Sequence, residues 1–483
     1  MQQARQNTAA RQQPRDTAPP GARPRTQRAQ LRTAPRKPVQ GRPAAKSPQR
    51  SAVPAGNIGK PASVRNAAVR DAGVAGRVRG PRRQAVKSAE KVKKKKIKDP
   101  NRVRLFNFQS RVDVPMMIII MVLLVFGVSM MFSAGHALSY RDNGGDSFYY
   151  VTRQMTAAGI GLVGMFFLTF LDYRCLRYEL KLFGKRVTLT HILMGIAMGL
   201  NLLTIPFGIE AVAGQRRWLP IPFLGQFQPS DLMKIAVIVY FAYYIQKHSD
   251  QMRKFYDGIL IPGLVLMAVI LSVISQTHLS LMVIICVVFA VMLFVGGSNL
   301  KYLLPICLMV AGVVVFAVVV LDVGYFKERI VFMDPLSDPG DGSYQNYQSA
   351  LALGSGGIWG KGFGNSSQKY YYLPEAQNDF VYAVLVEEFG LVGGLAVIVL
   401  FLIFVFRGFY IARRSEDKFG CLLATGITFQ IGLQAFLNLG VNLCCIPNTG
   451  ISMPFFSFGG TALMLQLWEM GLLLSVSKRA KLS

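Results

Sequence analysis

Ten long apolar runs alternate with short polar segments from about residue 114 to the end of the chain. A bilayer core about 30 Å thick is crossed by roughly 20 apolar residues in helical form. The pattern therefore predicts an all-α polytopic membrane protein of about ten transmembrane helices, and an even number puts both termini on one side. The runs lie near residues 114–132, 154–171, 188–206, 230–246, 258–275, 279–297, 302–322, 382–406, 419–443 and 457–476.

The charges of the connecting loops predict the orientation of these helices. With the N-terminus inside, the inner loops carry 16 Lys and Arg residues, and the outer loops carry 8 over many more residues. Cytoplasmic loops are enriched in Lys and Arg, so we expect both termini to be cytoplasmic. A large extracytoplasmic loop, about residues 323–380, then lies between helices 7 and 8. A loop of this length is usually functional.

Residues 1–112 differ from the rest of the chain in charge. They contain 29 basic and 4 acidic residues, whereas the remaining residues contain 25 basic and 21 acidic ones. Residues 1–90 lack the aromatic and long aliphatic side chains that form a core, which predicts a disordered tail. The polybasic segment 91–98 precedes the first apolar run and suits an anionic lipid surface or a docking protein. Because the body is nearly neutral, we expect no nucleic-acid partner.

Two motifs in the outer loop are better explained by chance. The glycine-dense segment around Lys361 lacks the P-loop spacing, since Gly follows this lysine where Ser or Thr is required. Residues 366–369 fit the SxxK pattern of penicillin-binding proteins, but residues 475–478 fit it too and KTG is missing. Neither an ATP site nor a serine acyl-enzyme is therefore predicted.

The outer loop retains chemistry once those motifs are set aside. It offers a glycine-rich backbone suited to anions, the two lysines Lys361 and Lys369, and the carboxylates Glu375 and Asp379. The two carboxylates are four residues apart and would share a face of a helical turn. The alternative is a solvated loop whose acids merely precede the eighth span.

Further charged residues lie near or within the apolar runs. Arg216 and Arg217 fall on the predicted outer face, where two guanidinium groups could hold phosphates or anchor the chain at the interface. Lys234 and Glu469 lie inside apolar runs, where charges are costly and are either functional or paired. Lys234 with Asp231 could instead form a structural pair.

Several of these segments together resemble one known family. They are 214–218 (GQRRW), 227–234 (FQPSDLMK), 347–357 (YQSALALGSGG), 360–365 (GKGFGN), 372–380 (YLPEAQNDF), 387–391 (EEFGL) and 447–460 (PNTGISMPFFSFGG). In this order they resemble the SEDS family of shape, elongation, division and sporulation proteins, and its division-type members more than its elongation-type members. The resemblance covers about residues 113–480, so residues 113–483 are expected to form one transmembrane glycosyltransferase domain.

The resemblance implies a multi-pass protein of the bacterial cytoplasmic membrane. Its expected activity is peptidoglycan glycosyl transfer, polymerising lipid II on the outer face for septal or other wall synthesis. The expected partner is a class B penicillin-binding transpeptidase, and cytoplasmic division proteins could bind the basic tail. No tightly bound cofactor is implied, and a divalent cation (Mg²⁺ or Mn²⁺) is left open. The alternatives are a lipid II flippase and a non-catalytic scaffold.

The resemblance also assigns roles to particular residues. The family's catalytic acid matches Asp379, which we expect to act as an ionised general base, and the arginine before the loop tryptophan matches Arg217. Where the family often has aspartate this chain has His278, so that role is not carried over. Metal ligands are not assigned. The expected substrate-binding residues are Arg217, Arg216, Lys361, Lys369, Glu375, Lys234, Gln348 and Ser355.

Overall fold

The structure of the protein is a computed structural model. It describes residues 111–182, 185–210, 216–221, 225–274, 276, 279–306, 308–309, 344–448 and 450–481. The predictions for the basic tail before residue 111, for His278 and for the outer loop before residue 344 lie outside the described residues.

Helices make up most of the described chain. They are α1 Val114–Asp142, α2 Tyr149–Phe170, α3 Leu189–Phe207, α4 Pro229–Lys247, α5 Ile261–Ile274, α6 Leu279–Gly296, α7 Tyr344–Ser355, α8 Val381–Arg414, α9 Lys418–Asn442 and α10 Gly460–Ser477. A π-helical turn, Tyr256–Leu260, leads into α5. Asp113 caps α1 by accepting from the Met116 N–H at 2.8 Å, and Asp417 caps α9 in the same way.

Seven helices in the described part of the chain are long and apolar enough to cross a membrane. They are α1, α2, α3, the segment Tyr256–Val273, α8, α9 and α10. The shorter apolar helix Ser280–Gly296 belongs to α6. The prediction of a helical, polytopic membrane protein is confirmed. The number ten and the cytoplasmic termini stay predictions, and most of the run 302–322 is not described.

Small residues let the helices pack closely around α9 and α10. The most extensive helix pair is α2 with α10. A Cβ atom on Gly161 would lie 2.6 Å from Leu467 Cδ1, and one on Gly164 would lie 2.0 Å from Trp468 Nε1. Such glycines are typical of membrane helix interfaces, where close backbone approach replaces the hydrophobic effect as the source of affinity.

Two small antiparallel sheets complete the described fold, and the sequence did not predict them. One pairs β1 Glu179–Leu182 with β2 Lys185–Thr188. The other has the order β3-β4-β5, from Ile209–Glu210, Arg216–Ile221 and Gly225–Phe227. The second sheet joins α3 to α4, so its β4 strand carries both arginines of the predicted site.

Helix α8 is broken at Gly390, and the glycine-dense segment of the outer loop packs against that break. Gly390 has φ 68° and ψ −170°, and a Cβ there would lie 2.2 Å from the Ile358 carbonyl oxygen. The N–H groups of Lys361 and Gly362 donate to the carbonyls of Glu387 and Glu388 at 3.0 and 2.9 Å. These amides therefore bind α8. The prediction that this backbone is suited to anions is wrong for the N–H groups of Lys361 and Gly362, because both already donate to carbonyl groups of α8.

Candidate active site

A cavity of about 640 Å³ opens among α2, α4, α6, α9, the strand β4 and the loops that flank α8 and α10. Its volume lies in the range typical of small-molecule sites. Charged groups of both signs converge on it. Those in the described lining are Arg153, Arg217, Lys234, Asp231, Glu375 and Asp379.

The backbone of Asp379 is held by two asparagines of α9. Its carbonyl oxygen accepts from Asn438 Nδ2 at 2.8 Å and from Asn442 Nδ2 at 2.9 Å. Asn442 Oδ1 in turn accepts from the Ala383 N–H at 3.0 Å in the first turn of α8. These bonds use only main-chain atoms of Asp379. Its carboxylate therefore remains available to the cavity that it lines.

The electrostatic surroundings of Asp379 make its carboxylate a stronger base than usual. Burial, and next the charge of Glu375, raise the pKa of Asp379 to about 7, against a smaller lowering effect of Arg217. The sequence led us to expect an ionised carboxylate at neutral pH, whereas this raised pKa favours the protonated form more than in an ordinary aspartate. A pKa near the working pH suits a general base.

Glu375 lies beside Asp379 in a strained turn. It has φ 55°, a left-handed conformation that is uncommon outside glycine. Its carboxylate accepts from Asn378 Nδ2 at 2.5 Å and from Gln377 Nε2 at 3.4 Å. The side chain lines the cavity and is otherwise exposed.

The two neighbouring arginines of β4 have different surroundings. Successive side chains of a strand point to opposite faces. Arg217 lines the cavity and donates from Nε to the Gln276 carbonyl at 3.0 Å. Arg216 is exposed, donates to the Ile205 carbonyl at 3.2 Å, and lies outside the described lining. The structure therefore brings only Arg217 of this pair to Asp379.

Lys361 and Lys369 also lie outside the described lining of the cavity. Lys369 Nζ forms an ion pair with Glu388 Oε1 at 3.0 Å, and the two side chains are 5% and 0% exposed. Lys361 Nζ lies 2.6 Å from Glu387 Oε1. This placement does not support the prediction that Lys361 and Lys369 bind substrate beside Arg217. The two acids lie near the N-terminal end of α8 and draw the lysine ammonium groups towards that helix.

Of the remaining residues predicted to bind substrate, one lines the cavity and two lie outside its described lining. Ser355 donates to Glu387 Oε1 at 3.2 Å and belongs to the lysine–glutamate cluster. Gln348 is buried on α7, outside the described lining. Lys234 does line the cavity, and it also forms the predicted ion pair with Asp231 at 2.9 Å. Both interpretations of Lys234 are therefore compatible with the geometry.

Sequence reasoning missed one cation and one polar stripe. Arg153 of α2 lines the cavity with its guanidinium over the Tyr149 ring, 4.4 Å from the centroid. The stripe consists of buried amides spaced four residues apart along α9, namely Gln430, Gln434, Asn438 and Asn442. Four polar residues at helical spacing in an apolar run are a signal in the sequence, because such residues share one face.

Comparison with known proteins shows which family the chain belongs to. Residues 114–482 match the FtsW, RodA and SpoVE family model, described as cell cycle protein. The chain belongs to the FtsW/RodA/SpoVE family. The match spans the whole described helical region and includes every residue of the cavity.

Members of the FtsW/RodA/SpoVE family are similar to this chain over nearly their full length. The probable peptidoglycan glycosyltransferase FtsW of Geobacter sulfurreducens is 36% identical over 374 residues, 77% of this chain and 96% of that protein. Stage V sporulation protein E of Bacillus subtilis is 35% identical over 375 residues, 76% of this chain and 98% of that protein.

Solved structures of the family are similar to this one in fold. A chain from a study of structural coordination of polymerization and crosslinking by a peptidoglycan synthase complex gives a TM-score of 0.62 at 27% identity. The match covers 77% of this chain and 99% of that chain. The rod shape determining protein RodA of Thermus thermophilus gives 0.54 at 25% identity, covering 77% and 98%.

Proposed function

We propose that this protein is a peptidoglycan glycosyltransferase that polymerises lipid II at the outer face of the bacterial cytoplasmic membrane. The observation that carries the proposal is one cavity lined by both Asp379, whose carboxylate has a pKa of about 7, and Arg217. The curated relatives named as probable peptidoglycan glycosyltransferases support the same activity. The role in septal synthesis rests on the division-type relatives.

The reaction needs a base and a site for a negatively charged leaving group. The acceptor's sugar 4-hydroxyl attacks the anomeric carbon of the donor, and Asp379 takes the hydroxyl proton as the new C–O bond forms. The bond between the anomeric carbon and the lipid diphosphate breaks, and the diphosphate leaves with the electron pair. Arg217, Arg153 and Lys234 supply positive charge at the cavity wall for that group.

A divalent cation is compatible with this cavity. The described residues contain no group of three or more His, Cys, Asp and Glu side chains placed to hold a metal. Mg²⁺ is commonly bound by one or two carboxylates together with substrate phosphates. Glu375, which is exposed at the cavity, is the carboxylate that would serve, and the cation would neutralise charge on the leaving diphosphate.

The proposed partner is a class B penicillin-binding transpeptidase that crosslinks the new strands. Its support is the similar structure from a complex that coordinates polymerization with crosslinking. The basic tail is proposed to contact anionic lipid or cytoplasmic division proteins.

The test uses purified protein in detergent or vesicles with lipid II, with and without a transpeptidase. We expect glycan strands whose formation requires Asp379 and whose rate depends on Arg217. Movement of lipid II across vesicles without polymer would replace the proposal with a flippase. A requirement for the protein in cells that persists after loss of Asp379 would replace it with a scaffold.

A further inference from the structure

A second, smaller cavity, here called the inner cavity, adjoins the proposed active site. Its volume is about 40 Å³, and its lining includes Asp231, Lys234, Gln430, Gln434 and Glu469. Asp231, Lys234 and Gln434 line both cavities. A polar space of this size can hold a water molecule with several partners. The inner cavity therefore joins Glu469 to the space in which the substrate is proposed to bind.

Glu469 is the buried acid of α10, and it has a defined partner. It is 2% exposed, and Gln430 Nε2 donates to its two oxygens at 3.1 and 3.2 Å. The other amide atom, Gln430 Oε1, is buried and has no hydrogen-bond partner among the described residues. This oxygen belongs to a lining side chain of the inner cavity, where it can accept from a water or an ammonium group.

Lys234 shares the lining of the inner cavity with two carboxylates on different helices. Asp231, three residues earlier on α4, is 2.9 Å away, and Glu469 acts on Lys234 electrostatically from α10. With all three groups ionised, the cluster carries one net negative charge. Such a cluster opposes an anion in the neighbouring cavity, because charges inside a protein interact through a low effective dielectric constant.

We infer that Glu469 is a positioning residue that tunes Lys234 for the diphosphate of the lipid-linked substrate. Glu469 draws the ammonium group towards the inner cavity and offsets part of its charge. The diphosphate is then held weakly enough for the product to leave. Gln430 fixes the carboxylate that exerts this pull. This inference rests on the proposed function, since it requires that a diphosphate enter the cavity.

The test compares Glu469→Gln with the wild type in lipid II polymerisation. The substitution keeps the shape and one hydrogen bond to Gln430 but removes the charge. A charge-assisted hydrogen bond from Lys234 to the diphosphate becomes stronger once the pull of Glu469 on the ammonium group is removed, and such a bond changes affinity by roughly tenfold. We therefore expect KM for lipid II, and the inhibition constant of undecaprenyl diphosphate, to fall about tenfold while kcat stays equal or declines.

A matched control and a double-mutant cycle separate this role from packing. Thr428→Val on α9 is nearly isosteric, and the Thr428 hydroxyl is buried without a hydrogen-bond partner among the described residues. In this variant the KM for lipid II and the inhibition constant of undecaprenyl diphosphate should stay unchanged. In a Lys234→Met background, Glu469→Gln should lose most of its effect, because it acts through the ammonium group. Glu469→Leu should lower KM as Glu469→Gln does. That result would exclude the side-chain amide introduced by glutamine as the cause.

The outcomes distinguish this inference from the proposed function. A wild-type protein that makes no polymer defeats the proposed function. A wild-type protein that polymerises, together with a Glu469→Gln variant of unchanged or higher KM, overturns the inference alone. An equal effect of Glu469→Gln with and without Lys234 also overturns it, because Glu469 would then act by another route.

Discussion

Replacing Asp379 with asparagine removes the proposed base while leaving its scaffold in place. The bonds from Asn438 and Asn442 reach the carbonyl of Asp379, so they persist whatever the side chain. Asparagine has the shape of aspartate but cannot accept the proton of the acceptor hydroxyl. General-base assistance contributes about 10²–10⁴-fold, and the polymerisation rate should fall by that factor.

The same substitution should stabilise the protein, and the sign follows from the direction of the pKa change. Folding raises the pKa of Asp379 from 3.8 to about 7. Between these values the folded state retains a proton that the unfolded state releases, so stability falls as pH rises through this window and is level above it. Each unit of pKa change corresponds to about 1.4 kcal/mol, so ionised Asp379 lowers the free energy of unfolding by at most about 4 kcal/mol.

The assay measures initial polymerisation rate and thermal unfolding from pH 4 to pH 9. The wild-type rate should rise with pH and level off above about 7, where Asp379 is ionised. Asp379→Asn should be nearly inactive throughout. Its unfolding temperature should exceed that of the wild type above pH 7, and the difference should shrink towards pH 4.

Two results would refute this reasoning. An Asp379→Asn enzyme that polymerises at the wild-type rate removes the base assignment. A variant that is less stable than the wild type at pH 8 removes the claim that the ionised group is strained by burial. Glu375→Gln is the matched control, since its exposed carboxylate lies four residues away and should matter less to the rate.

Other predictions follow from the cavity and its supports. Lys369→Met should destabilise the fold by about 3–5 kcal/mol in thermal unfolding, because it leaves Glu388 buried and unpaired; a neutral effect would contradict the ion pair. Arg217→Lys should raise KM for lipid II roughly tenfold or more, since lysine cannot reproduce the planar guanidinium. Asn438→Ala should lower kcat through displacement of Asp379, with near-normal protein level in membranes. Trp359→Cys, at a side chain 80% exposed, should react with an impermeant thiol reagent in cells; protection there would invert the predicted topology.

The sequence predicted the helical membrane fold because each apolar run is a local signal whose length is set by the bilayer. It also named Asp379 and Arg217, through the resemblance to the family, and the structure places both in the lining of one cavity, while their roles stay predictions. It misplaced Lys361 and Lys369, because a charged loop residue does not reveal which distant acid it meets. Their partners, Glu387 and Glu388, lie inside the apolar run 382–406, and nothing in the sequence shows which cations reach them.

The β3–β4–β5 sheet was missed for a related reason. Its strands have two to six residues, too few for an alternating pattern to stand out from a polar connection. The stripe of amides on α9 could have been found, since Gln430 to Asn442 repeat every four residues. The group that the stripe binds could not be predicted from the sequence, because the Asp379 carbonyl lies 63 residues from Asn442.

The amide stripe of α9 has a consequence for inhibitor design. Gln430 binds Glu469 at one end, and Asn438 and Asn442 hold the carbonyl of Asp379 at the other. One helix thus contacts both the buried acid Glu469 and the backbone of the proposed base Asp379. A slip of a single residue would turn every amide by about 100°. A small molecule that displaces α9 from α8 would therefore shift both groups without occupying the cavity.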